Sequence, residues 1–121
     1  PYRQLAGEME VVLKEIVSDK TNFRKMLTDV QPDVQALEDW KEECFEQLGA
    51  TYESFFVDEL PEQFTYPVLV YPEKVSSITL DKTPMIEGTL NGIKGQYLLL
   101  DGDRVLNVRR HSGYRVRIHV G

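Results

Sequence analysis

The chain has 121 residues, a formal net charge of −6 and 41% hydrophobic residues, a composition typical of one globular domain. Its single cysteine, Cys44, excludes an internal disulfide and a zinc site built from cysteines alone. No apolar run approaches the roughly 20 residues that a membrane-spanning helix needs. We therefore expect a cytoplasmic protein without a membrane partner.

The charges are unevenly distributed along the chain. Residues 1–68 contain 15 acidic and 6 basic side chains, whereas residues 69–121 contain 5 acidic and 8 basic ones. The second part has five arginines, all after Gly102: Arg104, Arg109, Arg110, Arg115 and Arg117. The whole chain is too acidic to coat nucleic acid indiscriminately, but this distribution is compatible with a local basic surface.

The first half of the sequence predicts three helices. Apolar residues recur every three or four positions over residues 3–18, which is the pattern of one helical face. A short second helix is expected over residues 22–27, with Thr21 as its N-cap. Gln31-Pro32-Asp33 opens a third helix, for which Asp33 is the expected cap, and Gly49 ends it.

The second half predicts strands. Residues 64–71 and 74–80 are strand-like, and Pro67 argues for an edge position in the first of them. Four further strands are expected over residues 84–120, separated by three turn signals: Asn91-Gly92, Asp101-Gly102 and Ser112-Gly113. The last strand would present Arg115, Arg117 and His119 in a row on its exposed face.

Because the helices precede the strands, the expected class is α+β. We predict a helical subdomain over residues 1–62 and a β subdomain over residues 63–121. The helices would pack on a C-terminal antiparallel β-meander that curls into a small, partly closed barrel.

Three long runs resemble one family in one order: LAGEMEVVLKEIVSDKTNFRKML, YPVLVYPEKVSSITLDKTP and GTLNGIKGQYLLLDGDRVLNVRRHSGY. The chain resembles the C-terminal part of domain-of-unknown-function family 2797, a prokaryotic family. The resemblance implies that the chain is a segment of a longer protein whose upstream region carries paired cysteines. It implies no activity.

The strongest candidate site lies near the C-terminus. Arginine side chains bind phosphates bidentately, and an aromatic ring can stack on a base. We predict a site for nucleic acid or another polyanion formed by Arg109, Arg110, His111, Tyr114, Arg115 and Arg117, with Lys94 and Tyr97 nearby. The alternative is that these arginines pair with the acidic helices of the same chain. No metal site and no cofactor are predicted within the segment.

A second hypothesis concerns Glu10. The run AGEMEVVL resembles the glutamate helix of GIY-YIG-type endonucleases. That resemblance implies that Glu10 would hold a divalent metal for phosphodiester hydrolysis in the intact protein, where upstream residues would complete the site. The segment alone would not be an enzyme. A third hypothesis is a structural module that forms a homo-oligomer and has no site of its own.

Overall fold

A computed structural model describes residues 2–18, 20–30 and 33–121. The chain divides into two compact units. The first, here called the helical unit, comprises residues 1–22 and 31–64, and the second, the sheet unit, comprises residues 23–30 and 65–121. The predicted α+β class is confirmed.

The structure contains three α-helices: α1 (Tyr2–Leu13), α2 (Phe23–Met26) and α3 (Val34–Leu48). Asp33 is the N-cap of α3, as expected, because its carboxylate accepts hydrogen bonds from the backbone N–H groups of Gln35 and Ala36. Gly49 follows α3 with a φ of 71°. The predicted helix opening at Gln31 and Pro32 lies outside the described residues.

In the helical unit, α1 contacts α3, and a 3₁₀ helix, Ala50–Phe55, follows. The rings of Phe45 and Phe56 are 4.6 Å apart, and the Lys41 ammonium lies 4.8 Å from the Phe56 ring. No side chain of α1 or α3 is fully buried, and Trp40 on α3 remains 45% exposed. The apolar stripe of α3 is therefore only half covered within its own unit.

The sheet unit contains four strands: β1 (Ser76–Ile78), β2 (Leu90–Lys94), β3 (Tyr97–Leu100) and β4 (Arg104–Asn107). Their order is β1-β4-β3-β2, in which β2, β3 and β4 are antiparallel and β1 runs parallel to β4. The sheet is thus mixed and open, which corrects the expected pure meander and its closure into a barrel. Residues 79–89, which contain no hairpin signal, carry the chain from one edge of the sheet to the other.

The predicted segment 64–71 forms a single β-bridge beside the outer edge of β2, between Val68 and Gly92. Asn91-Gly92 is consequently not a turn, because both residues lie within β2. A Cβ on Gly92 would lie 2.8 Å from the Val68 Cα, so glycine is needed there for close approach. The hairpin turn falls instead at Gly95, whose φ is 58°.

The predicted strand over the last residues does not form. After β4 the chain enters a 3₁₀ helix, Val108–His111, here called the arginine turn. Residues 114–121 then have no helix or strand structure. β1 already pairs with the edge of β4 that a further meander strand would use, so the last residues cannot continue the meander beside β4.

The core of the sheet unit is formed by α2 and one face of the sheet. Leu27 follows α2 and is fully buried against Val75, Leu99 and Val105. Around them lie partly buried residues from α2 and the sheet: Phe23, Met26, Val68, Tyr71 and Tyr97. Residues of β3 and β4 that lie opposite each other, such as Leu99 and Val105, share one face of the sheet. This register determines which side chains lie on the face covered by α2.

Candidate nucleic-acid interface

The arginine turn lies at the end of the sheet where β4 finishes. The backbone N–H of Val108 donates to the carbonyl of Gln96 in the β2–β3 hairpin at 2.9 Å, which fixes the start of the turn. Arg109 and Arg110 follow at once, and both side chains are exposed. Two guanidinium groups are thereby presented next to each other on an element that is attached to the sheet.

His111 closes the arginine turn and is only 8% exposed. Its Nε2 accepts a hydrogen bond from the backbone N–H of Leu80 at 3.0 Å. Because Nε2 is the acceptor, Nδ1 carries the proton and donates it to the carbonyl of Asn107 at 2.9 Å. Both ring nitrogens are engaged by the backbone, so His111 anchors the turn to the segment that follows β1.

Tyr114 packs its ring against this anchor. Its centroid lies 5.2 Å from that of His111 in an edge-to-face arrangement, and its hydroxyl donates to the carboxylate of Asp81. That hydrogen bond, together with desolvation and the negative charge of Asp81, raises the pKa of Tyr114 above 10.0, while the positive charge of Arg110 acts in the opposite direction. Tyr114 remains 48% exposed.

Arg115 and Arg117 lie beyond Tyr114 on C-terminal residues that form neither helix nor strand. All side chains from Ser112 to Gly121 are exposed, including His119. The expected alternation on a strand is therefore absent, although the arginines are open to solvent as anticipated. We call the set Arg109, Arg110, Tyr114, Arg115 and Arg117 the basic surface.

The stretch of chain that carries the basic surface has no acidic residue, although the carboxylate of Asp81 lies against Tyr114. After Asp103 the sequence contains five arginines and no acidic residue. Arg104 has a structural role, since its guanidinium pairs with Asp101 and donates to the carbonyl of Glu87. Within the described residues of the sheet unit, no ion pair joins the other four arginines to an acidic side chain.

A second cluster was only partly foreseen from the sequence. The Lys94 ammonium at the end of β2 lies 5.1 Å from the ring centroid of Tyr66 and 5.3 Å from that of Tyr71. We call these three residues the aromatic–lysine cluster. Lys94 was expected near the site from the sequence. Its contact with the two tyrosines was not expected, because a run of strand-like residues does not show which lysine will lie against its aromatic rings.

Lys94 also connects this cluster to the basic surface. In the sheet register Lys94 pairs with Tyr97, and Tyr97 pairs with Asn107, the residue before the arginine turn. Since neighbouring strands are about 4.8 Å apart, Lys94 and Asn107 are separated by about 10 Å at one end of the sheet. Tyr97, which was expected from the sequence near the candidate site, lies between the two groups in this register.

Glu10 lies on α1 with an exposed side chain. Within the described part of the chain, no group of three or more histidine, cysteine, aspartate or glutamate side chains is arranged to hold a metal ion. The role of Glu10 in a longer protein stays a prediction, and the similarity to GIY-YIG endonucleases is not shown.

The architecture is that of an α+β protein with a small mixed sheet and a basic C-terminal segment. Comparison with known families matches residues 1–116 to DUF2797, described as a protein of unknown function. The chain therefore belongs to the DUF2797 family, as its sequence runs indicated. No curated protein and no solved structure matches it. Among the described residues there is no helix with the length and apolar character needed to cross a membrane.

Proposed function

We propose that this protein binds nucleic acid through the basic surface. The observation that carries the proposal is that Arg109, Arg110, Arg115 and Arg117 are exposed and unpaired over the described residues, on a stretch of chain without any acid. Guanidinium groups bind phosphates through two parallel hydrogen bonds. A row of phosphates at regular spacing is the polyanion that such a series of arginines suits best.

The local structure supports different roles for the two pairs of arginines in the basic surface. Arg109 and Arg110 are held next to the sheet because His111 anchors their turn to Leu80 and Asn107. Arg115 and Arg117 lie on residues without helix or strand structure and can adapt to the path of a strand. The two held arginines would set the position of the ligand, and the other two would add affinity.

The alternative, in which the arginines serve the fold by pairing with the acidic helices of the same chain, predicts no oligonucleotide binding even at low salt. Within the described residues of the sheet unit, the ion pair formed by a guanidinium is that of Arg104 with Asp101, three residues away in the same turn region. Exposed arginines without acidic partners keep their full charge available for a ligand.

The test is fluorescence-anisotropy titration of labelled single-stranded and duplex oligonucleotides at several salt concentrations. Counterion release predicts that log K falls with log salt with a slope of about −0.7 per phosphate contact on a single strand. Replacing both Arg109 and Arg110 by alanine should weaken binding and reduce the magnitude of the slope by about 1.4.

The matched control is Arg3→Ala/Lys14→Ala, which removes the same charge from two exposed positions, one on α1 and one directly after it. The salt slope of this control should equal that of the unchanged protein within error. The change in net charge should have only a small effect on binding. If the control and the Arg109→Ala/Arg110→Ala variant lose the same affinity, binding depends on overall charge and the assignment to the basic surface is wrong. Absence of binding at low salt would refute the function itself.

A further inference from the structure

The aromatic–lysine cluster has a geometry that a lone surface lysine lacks. The Lys94 ammonium lies 5.1 Å and 5.3 Å from two tyrosine ring centroids, within the range of cation–π attraction. A lysine side chain normally samples many rotamers, and ordering one costs entropy. Here the two rings restrict the position of the ammonium in the free protein, so ligand binding loses less side-chain entropy.

The rings of this cluster are accessible to a ligand. Tyr66 is 44% exposed although Lys94 lies against it. Tyr71 is half-buried and packs against the hydrophobic core, which fixes the position of the pair. In the described parts of the chain no acidic side chain forms an ion pair with Lys94. An exposed tyrosine and a positive charge that has no acidic partner in these parts of the chain therefore lie side by side.

A second aromatic pair continues the same face of the sheet. The rings of Phe23 and Tyr97 are stacked with their planes 7° apart, and the Arg24 guanidinium lies 5.3 Å from the Phe23 ring. Tyr97 pairs with Lys94 in the sheet register, so both side chains point to the face that α2 covers. Both rings are partly buried against the core, so they support this end of the sheet next to Lys94.

The position of the cluster makes it an extension of the basic surface. The row Lys94–Tyr97–Asn107 crosses three strands at one end of the sheet and leads directly into the arginine turn. The distance along this row, about 10 Å from the strand spacing, is short enough for one nucleic-acid strand to reach both groups.

We propose that the aromatic–lysine cluster is a stacking site for unpaired bases, which makes single-stranded nucleic acid the ligand class of this protein. A base would stack on Tyr66, and the phosphate next to it would pair with the Lys94 ammonium. In a duplex the base faces are covered by their neighbours, so the cluster discriminates against double-stranded ligands. The inference rests on the proposed function, since the arginines supply the phosphate contacts that bring the strand to the cluster.

The experiment measures affinity for three labelled probes of equal length: a single-stranded DNA oligonucleotide, the same strand with abasic sites at every position, and the duplex. Base stacking on an aromatic side chain contributes enough for an effect on the order of tenfold per base. Tyr66→Leu should weaken binding to the ordinary strand by about tenfold and leave binding to the abasic strand unchanged. Tyr66→Phe keeps the ring and should retain the affinity.

The outcomes separate this inference from the function on which it rests. Equal affinity of the unchanged protein for ordinary and abasic strands overturns base stacking, while binding of the abasic strand that is lost in Arg109→Ala/Arg110→Ala still supports the basic surface. Base-dependent binding that survives loss of both arginines supports the cluster and overturns the proposed basic surface. Equal losses of Tyr66→Leu and Tyr66→Phe on both strands also overturn the inference. Circular dichroism of each variant shows that it has folded.

Discussion

Replacement of His111 by phenylalanine tests whether this residue anchors the arginine turn. Phenylalanine keeps a planar ring in a site that is only 8% exposed, but it lacks both nitrogens. The backbone N–H of Leu80 then loses its acceptor, and the carbonyl of Asn107 loses its donor. The change therefore removes two hydrogen bonds while preserving most of the packing against Tyr114.

The expected loss can be estimated from these two contacts. A buried backbone group left without a partner costs about 1–3 kcal/mol. Leu80 and Asn107 are each half-buried, so water reaches them in part and the lower end of that range applies. His111→Phe should thus lower the free energy of unfolding of the sheet unit by about 2–3 kcal/mol. With a urea m-value of about 2 kcal/mol per molar, the midpoint moves down by about 1 M.

The assay is urea unfolding followed by the near-ultraviolet circular dichroism of the tyrosines. His119→Phe is the matched control, because His119 is exposed and should not change the midpoint. In the anisotropy assay, His111→Phe should weaken oligonucleotide binding without changing the salt slope, since the number of phosphate contacts is unchanged. Equal midpoints for the two variants would contradict the anchoring role, whereas a slope reduced by about 0.7 would indicate that His111 contacts a phosphate.

Three further predictions concern other parts of the chain. Because the pKa of Tyr114 is raised above 10.0 mainly by its hydrogen bond to Asp81, Asp81→Asn should return it toward that value in an ultraviolet absorbance titration. The stabilisation linked to this pair should be present below pH 10 and lost as pH rises through the raised pKa. Gly92→Ala should destabilise the sheet unit by about 1–3 kcal/mol in urea unfolding, because the new Cβ meets the Val68 backbone at 2.8 Å. Asp33→Ala should remove the cap of α3 and lower the free energy of unfolding by about 1 kcal/mol, as measured by helical circular dichroism during thermal unfolding. An unchanged value in any of these assays would contradict the contact that the variant removes or disturbs.

Local features were predictable because they depend on a few neighbouring residues. The periodicity of the first half indicated α1 and α3, and Asp33 was identified as a cap from its place before an apolar stripe. The turn after β3 was also predicted correctly, since Gly102 has a φ of 66°. The central position of β3 followed from apolar residues on both of its faces.

The basic surface was predictable as a set of residues but not as a structure. The sequence shows that five arginines follow Asp103 without an acid. It does not show that His111 turns inward to bind two backbone groups, because Leu80 is distant in the chain. Nor does it show that Tyr66 and Tyr71 flank Lys94. These contacts arise only when distant segments meet.

The amino-acid sequence by itself determined the α+β class, the helices, the turn at Gly102 and the uneven distribution of charge, because each follows from short-range pattern and composition. Only the tertiary structure decided which strand occupies which edge of the sheet. Once β1 pairs with β4, the last residues cannot pair beside β4 as the next strand of a meander, whatever their alternation favours. The same competition makes Gly92 a point of close approach to Val68, although its dipeptide with Asn91 is typical of a turn. Each strand pairs with one of several segments that are distant in the chain, and a local sequence pattern does not determine which one.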